Sequence, residues 1–148
     1  MREAHTDAIA AAGVPHKLDV GVPLDRLGAF ADAVREAVGD ISPGAQLILF
    51  GHLGDGNVHV NVLGAPDDAV DEAVLRVAAG HGGTISAEHG VGVAKARFLH
   101  LVRSPAELAA MAAIKHALDP ADLLNPGAVL ATKGSKRLVA GEPLEGGP

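Results

Sequence analysis

Two histidines flank a glycine-rich turn in the segment GHLGDGNVH, at positions 52 and 59. Asp55-Gly56 is a strong two-residue hairpin turn signal of type I′. With those two as the central residues, His52 stands directly opposite His59, and opposed residues share a face with Cβ atoms roughly 4.5–5.5 Å apart. From that separation two imidazoles can converge on one metal ion. Asn61, two positions past His59, points the same way. A phosphate-cradling loop is the poorer reading, because no Lys-Ser/Thr pair follows and the segment does not lead into a helix.

A third ligand is available in SAEHGVG, residues 86–92, where Glu88 stands beside His89 in another glycine-bracketed stretch. Two imidazoles and a carboxylate form a catalytic type of zinc set with open coordination, and the same set can hold non-haem iron. Residue types alone do not choose between them. Polar positions on a solvated sheet face and an ordinary surface carboxylate would use the same letters. Asp55 is better suited to supporting the turn than to binding metal.

These residues need a scaffold, and the pattern of apolar residues supplies one. Residues 3–12 read as an alanine-rich helix stopped by Gly13, with Pro15 preventing continuation. The stretch 17–22 alternates polar and apolar and ends at Pro23, which predicts a strand. Leu24, Leu27, Phe30, Val34 and Val38 recur at spacings of three and four, predicting a helix that ends near Gly39. Residues 47–50 and the alternating Val58, Val60 and Val62 form the arms of the histidine hairpin. Asp67 or Asp68 can cap a helix whose Val70, Val74 and Val77 share a face and which ends before Gly82-Gly83. Residues 84–89 are a short strand or loop. Ser104-Pro105-Ala106-Glu107 carries an N-cap, a proline at the first helical position and a capping-box glutamate, so Leu108, Met111, Ile114 and Leu118 begin a helix that Asp119-Pro120 closes. Helices alternating with at least three strands, two joined by a tight turn, predict an antiparallel sheet covered by helices.

Composition narrows the partners. The 148 residues suit one domain, with 48% hydrophobic and 20% charged residues, as in ordinary globular chains. Aromatics are 2%, and 12 Lys plus Arg face 18 Asp plus Glu. The net charge of −6 repels a phosphate backbone, and bases would find almost nothing to stack on, so nucleic acid is excluded as a natural partner. Without cysteine there is no disulfide, no thiolate nucleophile and no thiolate-bound metal. No apolar run approaches a membrane span, and the acidic residues near the N-terminus do not suit a signal peptide, which makes the cytoplasm the expected compartment. Residues 133–148 lack periodicity and are expected to be a disordered tail.

Four motifs, GHLGDGNVHVNV from Gly51, ISAEHGVG from Ile85, DPADLLNPG from Asp119 and HKLDVGVPLDRL from His16, resemble the C-terminal domain of FAD-linked oxidases of the vanillyl-alcohol oxidase type. Within it they are most similar to the branch that holds D-2-hydroxyglutarate dehydrogenase, D-lactate dehydrogenase and the flavin subunit of glycolate oxidase. The resemblance implies an α+β fold of ferredoxin-like type, an antiparallel sheet with helices packed on one face, over residues 1–132. It implies zinc on His52, His59 and Glu88, and a 2-hydroxy acid contacted by Asn61 and by His89, the latter as general base. Arg2, Thr6 and Lys17 match the positions that hold substrate carboxylate, and Asn125 lies where the family's chain returns towards the flavin. His5, His16, His81, His100 and His116 match no required position and are expected to be exposed.

The departure is equally plain. The family's N-terminal FAD-binding domain has no counterpart in this sequence, so the expectation is a substrate- and metal-binding cap, inactive alone and dependent on an FAD-binding domain or flavoprotein subunit. The reaction implied for the intact enzyme is oxidation of a D-2-hydroxy acid to a 2-oxo acid, with hydride passing to FAD. The residues alone also admit a free-standing metal hydrolase, or a metal- or hydroxy-acid-binding module without catalysis.

Overall fold

A computed structural model describes residues 9, 11–52 and 54–131. The expected site residues Arg2 and Thr6, most of the helix expected over residues 3–12, His5 and the expected tail lie outside these. In chain order the elements are β1 (His16–Gly21), a 3₁₀ turn (Leu24–Arg26) running into α1 (Leu27–Ile41), β2 (Gln46–His52) and β3 (Asn57–Leu63). There follow α2 (Ala69–Gly80), a 3₁₀ helix (Ala96–Leu101) and α3 (Pro105–Leu118).

The strands form an antiparallel sheet in the order β1-β3-β2. After α2 the chain returns to the free side of β1, where Gly21 and Thr84 exchange backbone hydrogen bonds of 3.1 and 2.8 Å. The order is therefore that of a split βαβ, ferredoxin-like α+β sheet, with the fourth strand reduced to one bridge. A full strand is not expected there, because Gly82-Gly83 and the following SAEHG loop leave only residues 84 and 85 to pair.

Alternation along the strands separates two faces. Leu18, Val20, Val60 and Val62 point inward onto Phe30, Val34 and Val38 of α1 and Val70, Val74, Leu75 and Ala78 of α2, all buried. Removing the Phe30 ring from this core would cost about 3–5 kcal/mol. Packing also explains why α1 passes through Gly39 to Ile41 rather than ending at the glycine. Glycine in a helix costs about 1 kcal/mol, which burial of Val38 offsets, and the amide of Ser42 still reaches the Val38 carbonyl at 2.9 Å. The stop comes at Ser42-Pro43. The N-terminus of α3 forms as its residues predict, with the Ser104 hydroxyl accepting from the Glu107 amide and the Glu107 carboxylate accepting from the Ser104 amide.

The hairpin differs from the expected register. His52 pairs with Asn57 and His59 with Phe50, so four residues rather than two make the turn. The Asp55 carboxylate accepts from the Asn57 amide at 3.0 Å, the turn-supporting role expected of it. Gly56, at φ +71°, brings its carbonyl to the Val22 amide at 2.9 Å. This link to the end of β1 favours the wider loop. A slip of two residues preserves side-chain parity, so His52 and His59 still share a face.

Candidate functional site

The sheet face turned away from the helices carries the polar residues in three rows. They run Lys17–Asn61–Ile48, Asp19–His59–Phe50 and Gly21–Asn57–His52 across β1, β3 and β2. Asn61 and Asn57 are buried, whereas Lys17 is exposed. The central row is where the SAEHG loop arrives. Glu88 Oε1 lies 3.4 Å from His59 Nε2 and 3.5 Å from His89 Nε2. The His59 and His89 rings stack with centroids 5.6 Å apart, and Phe50 backs His59 at 5.1 Å.

His52 is placed differently. Its ring meets His59 edge-on with centroids 5.9 Å apart, and its Nδ1 lies 3.8 Å from Asp55 Oδ2. On this face the ligand atoms that lie within 4.8 Å of one another belong to Asp19, His59, Glu88 and His89. Of the three expected metal ligands, the structure thus brings His59 and Glu88 together, and His52 stands beside His59 outside that group. His89, expected at the substrate, stands as near to Glu88 as His59 does. Asn125 sits at φ +48° in the exposed turn after α3, whose Val129 amide is bonded to the Gly92 carbonyl at 2.7 Å.

Asp19 was not among the expected site residues. It is 3% exposed, and its Oδ2 accepts from the amides of Ala87, Glu88 and His89 at 3.0, 3.1 and 3.0 Å and from the Ser86 hydroxyl at 3.2 Å. Lys95 Nζ donates to the Asp19 carbonyl at 3.0 Å and lies 3.9 Å from Oδ2. Burial works against the Asp19 charge. The His89 and Glu88 amides, the Lys95 ammonium and the Ser86 hydroxyl outweigh it and hold the carboxyl below the ordinary aspartate value. Lys95 is moved the opposite way to its usual partnership: burial lowers its pKa despite the pull of Asp19 and Asp71. The signal in the sequence was an aspartate in mid-strand, a position that residue type disfavours.

Two other histidines correct the expectation of exposure. His16 is half-buried, with Nδ1 2.9 Å from Asp71 Oδ1 and Nε2 3.2 Å from the Ala65 carbonyl, tying β1 to the start of α2. His81 is half-buried too, its ring nitrogen bonded to the Val77 carbonyl at 2.8 Å and its ring set edge-on to Phe30. His100 and His116 are exposed.

The central cluster suits a divalent ion. Two ligand atoms each about 2.0–2.1 Å from a tetrahedral zinc stand about 3.4 Å apart, which is the His59–Glu88 spacing. Asp19 Oδ1 is buried without a hydrogen-bond partner, and a carboxylate oxygen of Asp19 lies within 4.8 Å of ligand atoms of His59, Glu88 and His89. Nitrogen and carboxylate oxygen donors fit zinc or a similar first-row metal rather than a hard cation.

The sequence model of the FAD linked oxidases, C-terminal domain, matches residues 1–129, and the chain belongs to that family. It is 39% identical over 143 residues to a D-2-hydroxyglutarate dehydrogenase of Xanthomonas citri pv. viticola, covering 89% of this chain and 30% of that protein. It is 38% identical over 135 residues to the mitochondrial D-2-hydroxyglutarate dehydrogenase of Arabidopsis thaliana, covering 88% of this chain and 24% of that protein. The Bos taurus mitochondrial enzyme of the same name is 37% identical over 138 residues, at 89% and 25%. The chain therefore spans 24–30% of the length of these relatives. Among the described residues no helix is long and apolar enough to cross a membrane.

Proposed function

We propose that this chain is the substrate- and metal-binding part of a flavin-dependent D-2-hydroxy-acid dehydrogenase, with D-2-hydroxyglutarate as the first substrate to test. The observation that carries the reading is the convergence of His59, Glu88 and His89 on one sheet face, with Glu88 Oε1 3.4 and 3.5 Å from the two imidazoles. His59, Glu88 and a turned His52 hold a divalent ion, zinc in the first instance, which supplies Lewis acidity towards the oxygens of a hydroxy acid. FAD, which accepts the two electrons, is held by a separate domain or subunit.

The chain's own residues then divide the work. His89, exposed and beside the metal ligands, takes the proton of the substrate hydroxyl at an imidazole nitrogen, a task suited to imidazole at neutral pH. Asn61, in register with Lys17 on the same face, offers an amide to the acid. The Lys17 ammonium, with Arg2 and Thr6, pairs with carboxylate. A second carboxylate on the substrate, as in 2-hydroxyglutarate, gives that group of donors a distinct partner.

A surface suited to the flavin-bearing partner supports the reading. No residue of α3 is buried, and Ile114, Leu118, Leu123 and Leu124 are 62–80% exposed along it and the turn beyond. Exposed apolar residues of this size, where they form a patch, mark interaction sites. The test is reconstitution of the chain with the flavin-binding portion of a homologous D-2-hydroxyglutarate dehydrogenase, followed by dye reduction with D-2-hydroxyglutarate. Turnover that needs both polypeptides and is abolished by a chelator is the expected result. A folded complex that carries FAD and metal yet oxidises no D-2-hydroxy acid would overturn the proposal.

A further inference from the structure

We propose that Asp19 is the positioning residue of this site: its carboxylate fixes the 86–90 loop so that Glu88 and His89 both face His59. The inference deepens the proposed function and rests on it only where metal affinity is concerned.

Adjacent residues of an extended strand point to opposite faces, so Glu88 and His89 cannot both approach His59 unless the backbone curls. It does curl. The amides of three successive residues, 87, 88 and 89, converge on one oxygen, Asp19 Oδ2, within 3.0–3.1 Å. Successive N–H groups pointing inward make a concave anion-binding turn, and here the anion is a side chain of the same protein. The Ser86 hydroxyl closes the ring, lying 3.2 Å from Oδ2 and 2.7 Å from the Gly90 carbonyl. Gly90, at φ +79°, completes the reversal in the left-handed region open to glycine.

The anchor is itself held. Asp19 is paired with His59 across the β1–β3 ladder, so the residue that gathers the loop sits next to the imidazole the loop must reach. Lys95, with 13% of its side chain exposed, bonds to the Asp19 carbonyl and places a positive charge 3.9 Å from Oδ2. Charge-assisted hydrogen bonds are about twice as strong as neutral ones. An amide in place of the carboxylate loses that charge-assisted strength at the oxygen that gathers the loop, and its N–H₂ group takes the buried Oδ1 position, which has no hydrogen-bond partner. Ala at position 19 would take the shared acceptor from all three amides.

The test compares the full chain with Asp19→Asn and, as a milder variant, Ser86→Ala. The first readout needs no metal: amide exchange at residues 87–89 and ring-to-ring nuclear Overhauser contacts between His59 and His89. The wild-type chain should protect the three amides and give the contacts. Asp19→Asn should lose both while the core amides of β3 and α2 stay protected, and Ser86→Ala should show partial loss. The second readout is zinc affinity, expected to fall 10–100-fold in Asp19→Asn, the usual effect of removing a group that orients metal ligands. Wild-type protection and ring contacts retained in Asp19→Asn would overturn the proposal, as would released amides with undiminished zinc affinity. A wild-type chain that binds no zinc would remove the metal reading, and the amide and ring signals would then decide the role of Asp19 by themselves.

Discussion

Glu88 Oε1 lies 3.4 Å from His59 Nε2, although the two residues come from a loop and a strand far apart in the chain. In the proposed function Glu88 binds the metal and the neighbouring His89 acts as base. Glu88→Ala should then weaken zinc binding by roughly 10²-fold or more, as expected for the proposed ligand. His89→Ala should keep the metal, and in the reconstituted enzyme should lose oxidation of the hydroxy acid by a factor on the order of 10²–10⁴, the worth of a general base. Isothermal titration with zinc and turnover assays on the same two variants separate the roles. Exchanged phenotypes would make His89, 3.5 Å from Glu88, the ligand and overturn this assignment.

Purified alone, the chain should be colourless. Its sequence carries no GxGxxG fingerprint with which to hold a dinucleotide. A visible absorption spectrum after saturation with FAD and gel filtration checks this, and stoichiometric retained flavin would contradict the division into flavin-bearing and substrate-binding parts.

Gly56 should be irreplaceable in the hairpin loop. Its φ is +71°, and a Cβ there would meet the Val22 carbonyl oxygen at 2.1 Å. Strain and collision together should cost at least about 2 kcal/mol, a fall in Tm of roughly 5–10 °C. Gly54→Ala, where an added Cβ meets nothing within 4 Å, is the control and should change Tm little. Equal Tm values for the two variants would show that the Val22 contact does not hold the loop.

The turn after α3 should loosen in acid. Asp119 accepts from the side chain of Lys115 and from the amides of Leu124 and Leu123, in that order of effect, and its carboxyl is pushed down to about 2. A folded value below the unfolded one means the contribution is complete above the ordinary aspartate range and is lost as pH falls through it towards 2. Amide shifts of Leu123 and Leu124, followed by NMR, should therefore titrate together with a midpoint near 2 and lose that transition in Asp119→Asn. A midpoint at the ordinary aspartate value would mean that the lysine and amide contacts do not persist in solution.

Local chemistry was readable before the fold was. The capping box at Ser104 and Glu107, the Phe30–Val34–Val38 stripe and the alternation around His59 each depend on residues a few positions apart, and each formed as its pattern predicts. The hairpin register was not readable from Asp55-Gly56, because the Gly56 carbonyl is claimed by Val22, a residue outside the hairpin. Face parity survived the error since a slip of two leaves every side chain on its side. The role of Asp19 was not readable for the same reason on a larger scale: its mid-strand position marks it as unusual, but its partners are residues 86–89, and nothing in the letters around it points there. His16 likewise found Asp71 only through the packing of α2 on the sheet.

The most direct test is to locate the ion. Crystals of the zinc-loaded chain, measured at the zinc absorption edge, should give one anomalous peak per chain between His59 and Glu88, with His52 turned away from Asp55 to complete the set at ligand distances of about 2.0–2.2 Å. A peak instead at the other acidic and imidazole group, His16 with Asp68 and Asp71, or no peak above noise at full zinc loading, would contradict the account.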